Sequence, residues 1–191
     1  MIQAGFIINN PLTGSVTQII ESDAAGMLLE VTSKAGAKPD IAEHVHRTWT
    51  ETFEVIRGTA RCSVGGVQRT LQAGEVATVQ PGQKHIHPWS AGADELVFRQ
   101  RSTFAQPSPT AVQDVLGTFA TIADLARAGK VDRQGMPKNP LQMAAALRML
   151  AKHGGYDTRM PIGLQNGIAA TLGWLAERLG YRGVDPRYLR P

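Results

Sequence analysis

The hydrophobic pattern of this chain changes period once, near residue 106, and that change limits the possible folds more than any other feature. Residues 1–105 read as short strand candidates separated by turn signals. Phe6-Ile7-Ile8 runs into Asn9-Asn10-Pro11, and Val16–Ile20 and Met27–Thr32 follow. Thr52–Ile56 stops at Gly58, and Thr59–Val64 stops at Gly65-Gly66. A glycine pair between two strand-forming runs predicts a hairpin, because glycine takes positive φ without a Cβ penalty. Val67–Leu71, Val76–Val79 and Glu95–Phe104 complete the series, with turns at Gly74 and Pro81-Gly82. Strands at this spacing, with no helical periodicity between them, predict an antiparallel sandwich or barrel.

Gln106-Pro107-Ser108-Pro109 breaks the pattern, with Ser108 placed as a helix N-cap and Pro109 as the first helical residue. Val112, Val115, Leu116, Phe119 and Ile122 then recur at helical spacing, and Gly129 fits the stop. Asn139-Pro140 starts a second helix with Met143, Leu147 and Leu150 on one face. Pro161 opens a third, whose Leu164, Ile168, Leu172, Leu175 and Leu179 form one stripe. That stripe is expected to pack on the β part or on a partner subunit. The chain is therefore expected to be mainly β over residues 1–105, followed by about three α-helices in an extension over residues 106–191.

With 191 residues, 42% of them hydrophobic, the chain can bury a core of its own. A net charge of +4 would raise a polyanion as partner, but the charge is unevenly placed. Residues 1–105 carry nine basic and ten acidic side chains, whereas residues 106–191 carry eleven and six. The basic residues of the helical part are scattered and aromatics are few, so no nucleic-acid partner is expected. The longest uncharged run, Met160–Ala176, holds a proline and three glycines. It is shorter than the roughly 20 apolar residues that a span needs, so no membrane partner is expected. The single cysteine, Cys62, excludes an internal disulfide framework and a cysteine-based zinc site, and in a strand it reads as a small buried hydrophobe. Met1–Phe6 shows no basic segment leading into an apolar one, so no signal peptide is expected and the cytoplasm is the expected location.

Four of the five histidines, His44, His46, His85 and His87, fall within residues 44–87. In a strand, residues two apart share a face, so His44 and His46 can present two imidazoles to one point. Glu51 opens the next strand candidate in phase with apolar Phe53 and Val55, which puts a carboxylate on an inward face. Burying that carboxylate alone is costly, and a cation held by imidazoles would offset the cost. His85, just past the Pro81-Gly82 turn, would be the fourth group. Three imidazoles and one carboxylate suit a divalent first-row transition metal (Fe, Mn, Ni, Co, Cu or Zn), since Ca and Mg prefer all-oxygen shells.

The pattern His44-x-His46-x4-Glu51-x6-Gly58 resembles the first motif of the cupins, and Gly74 through Pro81-Gly82-Gln83-Lys84-His85 resembles the second. The resemblance spans roughly residues 25–104. It implies a double-stranded β-helix, a jelly-roll barrel with the site inside, and metal ligands at His44, His46, Glu51 and His85. The chain departs from the second motif at Gln80, where a proline is usual, and at Trp89, where an asparagine is usual. Neither position supplies a ligand. Cupins often form dimers, so a homodimer is expected, with the helices as interface material.

Around that centre, His87 shares a face with His85 and is a candidate to move a proton, as is Glu51 itself. Trp49 and Trp89 are expected to pack rather than to line a mouth. Glu54 is expected on the outer face, Arg99 and Arg101 on a solvated face, and His153 at a helix C-terminus. The leading expectation is a metal-dependent, dioxygenase-like enzyme acting on a small organic molecule, with catalytic Glu51 and His87. A metal-dependent isomerase or lyase fits the same ligand set, and a non-catalytic small-molecule sensor is the alternative of a different class. A purely structural metal site is disfavoured, because such sites tend to be closed and tetrahedral.

Overall fold

The computed structural model describes residues 2–189. Ten strands come first: β1 (Ile7–Asn9), β2 (Val16–Ser22), β3 (Gly26–Ser33), β4 (His44–His46), β5 (Trp49–Arg57), β6 (Thr59–Val64), β7 (Val67–Gln72), β8 (Val76–Val79), β9 (His85–Ser90) and β10 (Leu96–Phe104). The ten divide between two antiparallel sheets. One has the order β1-β2-β3-β10-β5-β8, and the other runs β4-β9-β6-β7. This is the expected mainly β jelly roll followed by helices. Inward residues of both sheets meet in one core, Ile19, Leu29, Val31, Phe53, Val55, Val79 and Phe98 from the first and Ala60, Cys62, Val64 and Leu71 from the second. Gly65 and Gly66 make the predicted hairpin turn between β6 and β7 at φ of +64° and +82°. Gly58 turns β5 into β6 at φ +86°, and a Cβ there would lie 2.5 Å from the Glu95 carbonyl oxygen. Glycine is required at that position on both counts.

The helices begin as the sequence predicts. Ser108 accepts a hydrogen bond from the Ala111 N–H and caps α1 (Pro109–Arg127); Asn139 caps α2 (Pro140–Lys152) by accepting from Leu141 and Gln142. Val112, Val115 and Leu116 of α1 belong to the same buried core as the barrel strands. Helix α1 is therefore part of the barrel's packing. Asp114 of α1 is 3% exposed and accepts from Lys152 Nζ at 2.9 Å and His153 Nε2 at 2.7 Å. This ion cluster fastens α1 to the end of α2, with His153 at the helix C-terminus as expected.

After α2 the chain returns to the barrel. Gly155–Asp157 forms β11 and pairs antiparallel with β4, Gly155 opposite His46 and Asp157 opposite His44. The third helix starts after Pro161 as α3 (Ile162–Ile168), passes through a π turn (Ala169–Gly173) and continues as α4 (Trp174–Arg178). Arg148 Nη1 donates to the Ala169 carbonyl at 2.9 Å, which supplies a partner within the widened turn.

The leucine stripe does not pack on the barrel. Leu164, Leu172, Leu175 and Leu179 are all exposed. The buried face is Gln165, Ala169, Gly173 and Ala176, one residue further along with the same spacing. A Cβ on Gly173 would lie 2.9 Å from the Ala144 carbonyl oxygen of α2. Small residues let the two backbones approach closely, and the leucines are left on the outer side.

Candidate metal centre

The centre is built where β4, β5, β9 and β10 face one another. Strand alternation sends His44 and His46, Glu51, and His85 and His87 inward; His46, expected as a ligand, meets Glu51 but lies outside the group whose ligand atoms share one place, and His87, expected beside the centre, lies within it. Glu51 Oε2 lies 3.2 Å from His46 Nε2, 3.1 Å from His85 Nε2 and 3.2 Å from His87 Nε2. The ring of His44 sits 4.1 Å from that of His85 and 4.8 Å from that of His87. One ligand atom each from His44, Glu51, His85 and His87 fall within 4.8 Å of one another.

The other carboxylate oxygen is fully occupied. Glu51 Oε1 accepts from Trp49 Nε1 at 3.1 Å, Gln100 Nε2 at 3.0 Å and Ser102 Oγ at 3.1 Å. Trp49 also stacks on His46, with ring centroids 4.2 Å apart. The carboxylate is thereby oriented from one side, leaving Oε2 for whatever the imidazoles share. Gln100 and Ser102 were not singled out from the sequence. Their signal is the alternation of β10: Arg99 and Arg101 point outward to Glu30 and Glu21, so Gln100 and Ser102, which alternate with them, must point in. Glu54 faces outward and Cys62 is buried, both as expected.

Hydrogen bonds also set two imidazole tautomers. His44 Nδ1 lies 2.9 Å from the Ala42 carbonyl oxygen and His85 Nδ1 lies 3.1 Å from that of Gln83. A carbonyl only accepts, so both Nδ1 atoms carry the proton and both Nε2 atoms present lone pairs. Burial, reinforced by His87 and His85, holds His44 well below its usual range. Burial likewise lowers His87, against the pull of Glu51. Burial alone would raise the Glu51 carboxyl, but His87, His46 and His85 together hold it well below the usual carboxylate range. Neutral His44 and His87 beside an ionised Glu51 are in the protonation states that a metal requires.

The donor set fits a metal ion on two counts. His46 Nδ1, His46 Nε2 and His87 Nε2 are buried without a hydrogen-bond partner, and such orphaned nitrogens are rare in folded proteins. Their 3.2 Å approach to Glu51 Oε2 lacks hydrogen-bond direction. The separations around Oε2 also suit coordination. With metal–ligand bonds of about 2.1 Å, neighbouring ligands lie about 3.0 Å apart in an octahedron and about 3.4 Å apart in a tetrahedron.

His44, Trp49, Glu51, His87 and Gln100 line a cavity of about 230 Å3 that runs from the barrel interior to the helical part. His46 and His85 lie behind them, fully buried. The barrel side adds Met27, Leu29, Val31 and Phe98, while α1 adds Val115, Leu116, Phe119 and Ile122. Trp49 thus both packs and lines the cavity, whereas Trp89 is absent from its lining. Among the described residues, no helix is long and apolar enough to cross a membrane.

Residues 29–98 match the family model described as Cupin domain. No curated protein matches the chain. Solved structures that it resembles include a double-stranded β-helix protein from Klebsiella pneumoniae, at 24% identity and a TM-score of 0.43 over 49% of this chain and 80% of that one. Another is an RmlC-like cupin from Shewanella frigidimarina, at 21% identity and 0.44 over 51% and 83%. A third is a predicted oxalate decarboxylase from Thermotoga maritima, at 15% identity and 0.43 over 55% and 99%.

Proposed function

Because the chain belongs to the cupins through its residues 29–98, we propose that it is a metal-dependent enzyme of dioxygenase type acting on a small organic molecule. The observation that supports this best is the convergence of three imidazole Nε2 atoms on Glu51 Oε2 while Oε1 is held by three other donors. His44, His46, Glu51 and His85 are the proposed ligands. A divalent transition metal bound there supplies Lewis acidity to a substrate oxygen and, if redox-active, electron transfer.

The chain's own residues divide the remaining work. Glu51, saturated with donors and ionised, serves as an anionic anchor. Of the two proton carriers expected, His87 is the better placed, because it lines the cavity and its burial keeps it neutral and able to accept a proton. Trp49, Gln100 and Ser102 orient the carboxylate. The apolar walls exclude water from the reacting end. A proton-transfer group beside the proposed metal position favours catalysis over a sensor that only anchors a ligand.

Metal analysis of the purified protein, followed by oxygen-uptake assays across phenols, thiols and diketones, tests the proposal. About one first-row metal per chain and substrate-dependent oxygen uptake are expected. Absence of metal, with none taken up on reconstitution, overturns it. Metal uptake with no oxygen consumption, but with an isomerised or cleaved product, would move the assignment to the isomerase or lyase class.

A homodimer, in the cytoplasm, is part of the same proposal. Leu164, Leu172, Leu175 and Leu179 form an exposed stripe with half-buried Ile168, and no charged residue lies between Leu164 and Leu175. Its spacing of 4, 4, 3 and 4 reads almost the same in reverse. An antiparallel pair about Leu172 would therefore set Leu164 against Leu179 at each end. Analytical ultracentrifugation should give a dimer that Leu172→Glu converts to a monomer; a monomeric parent protein overturns this part.

A further inference from the structure

Resting on the metal reading, we propose that Gln165 is a positioning residue of the metal centre: its amide fixes β11, and β11 fixes the strand that carries His44 and His46.

Gln165 lies on α3, far along the chain from every candidate ligand, and is 1% exposed. A buried amide is costly unless it is paired, and this one is engaged on one short segment. Its Oε1 accepts from the Asp157 N–H at 3.1 Å. Its Nε2 donates to the carbonyl oxygens of Asp157 and Met160, each at 2.7 Å. Both amide hydrogens and the amide oxygen thus act on residues 157–160.

That segment includes the open edge of a sheet. β11 is the outermost strand, with β4 on its inner side. An edge strand leaves backbone groups without a ladder partner. A glutamine amide offers an acceptor and two donors, so Gln165 satisfies both backbone groups of Asp157 as a neighbouring strand would. With only three residues, β11 has little pairing of its own to hold it.

Across the ladder, Asp157 lies opposite His44 and Gly155 opposite His46. The contact continues beyond both ends of the strand. The Glu43 carbonyl oxygen accepts from the Thr158 N–H at 3.2 Å and from its Oγ1 at 2.9 Å. The Arg47 N–H donates to the Gly154 carbonyl at 3.0 Å, and Thr48 Oγ1 to that of His153 at 2.6 Å. Residues 153–158 therefore run beside residues 43–48 without a gap. β4 pairs along its full length with β11, whereas β9 pairs with it at His44 opposite His85. The His44 ring is tied through Nδ1 to the Ala42 carbonyl oxygen, so it follows the backbone of its own segment. Metal sites tolerate ligand displacements of only about 0.2 Å. Freedom in β11 would therefore be felt at the centre, although Gln165 touches none of its ligands.

Cobalt(II) titration of the full-length protein, followed by visible absorption, tests the inference, with circular dichroism melts on the same samples. Gln165→Met keeps the length of the side chain and removes its polar atoms. At a temperature where both proteins are folded, it should bind cobalt at least tenfold more weakly than the parent and shift the cobalt absorption bands, which report ligand direction. Amide hydrogen exchange of residues 43–48 in the metal-free protein should also quicken at least tenfold. Arg148→Met is the control. It removes the bonds to Glu177 and to the Ala169 carbonyl, which tie the same helical segment to α2 away from β11. Its cobalt affinity and spectrum should match the parent's. If Gln165→Met does not fold, Thr158→Val decides in its place: it deletes the hydroxyl on Glu43 and should weaken cobalt at least threefold. Parental affinity and spectrum in the deciding variant overturn the inference. An equal loss in Arg148→Met also overturns it, because the effect would then be a general loosening of the helices. A parent protein that takes up no cobalt overturns this inference and the metal reading together; normal uptake unaffected by the deciding variant overturns this inference alone.

Discussion

On the floor of the cavity, His44, Glu51, His87 and Gln100 come from strands whose alternation fixes each direction, and three named donors hold one oxygen of Glu51. On its roof, Val115, Phe119, Ile122 and Leu150 come from helices and present only shape and apolar surface. The two regions meet through β11, which pairs with the three-residue strand that carries His44 and His46. That strand pairs with β9 through His44 opposite His85. The helical extension thus supports the strand of the candidate ligands as well as covering it. A floor made of specific atoms should fail sharply on single substitutions, whereas a roof made of packing should fail by degrees.

The sharpest break is at the floor. His85→Ala should reduce metal content at least a hundredfold, read by elemental analysis, since it removes a nitrogen 3.1 Å from Glu51 Oε2. Gln100→Ala deletes one of three donors to Glu51 Oε1 and should weaken metal affinity about 10- to 100-fold, the usual scale for partners that orient a ligand. Metal content unaffected by His85→Ala would dissolve the distinction between floor and roof.

The next effect belongs to the roof. Asp114→Asn removes the buried charge that binds Lys152 and His153, and should cost about 2–3 kcal/mol in denaturant unfolding. Metal content should stay at the parental level. If Asp114→Asn also empties the metal site, the fastening of α1 to α2 reaches the floor through β11, and the two regions act as one.

How much of this was legible in the sequence follows the same division. The pairs two residues apart, His44 with His46 and His85 with His87, have only one reading in a strand, so the candidate site could be written down from spacing. Gln100 and Ser102 were within reach, because the outward phase of Arg99 and Arg101 implies them. The third helix was not legible in the same way. The stripe at Leu164 and the stripe at Gln165 have the same spacing, and periodicity cannot say which one is buried. Gly173 decides it through its close approach to Ala144, a tertiary fact. β11 was hidden for a related reason: Gly155–Asp157 becomes a strand only because β4 offers an unpaired edge.

A smaller effect lies at the far edge of the roof, where the tail turn Pro186–Tyr188 docks on α1. Tyr188 Oη donates to Asp124, and burial together with that carboxylate pushes the phenol up to about 12. Unfolded chains lose this proton near pH 10, so above that value the folded state binds more protons than the unfolded one. Stability from this contact should therefore be complete below pH 10 and decline as pH rises towards about 12. Tyr188→Phe should cost about 1 kcal/mol at neutral pH and flatten that alkaline decline in thermal melts. A decline unchanged in Tyr188→Phe would assign it to other groups.

The smallest effect is expected on β10, the strand that also carries Gln100. Arg99 and Gln100 are neighbours on β10, one pointing to solvent and the other to Glu51. Arg99 meets Glu30 at 3.2 Å, but the two side chains are 47% and 30% exposed, so water and salt screen the pair. Arg99→Ala should change unfolding free energy by less than about 1 kcal/mol and leave metal affinity unmoved. Set beside Gln100→Ala, it compares two adjacent residues that differ chiefly in the face they occupy. If the two variants lost metal affinity equally, the outer face of the barrel would share in holding the centre. Orientation of Glu51 by its inner-face donors would then no longer be a sufficient account.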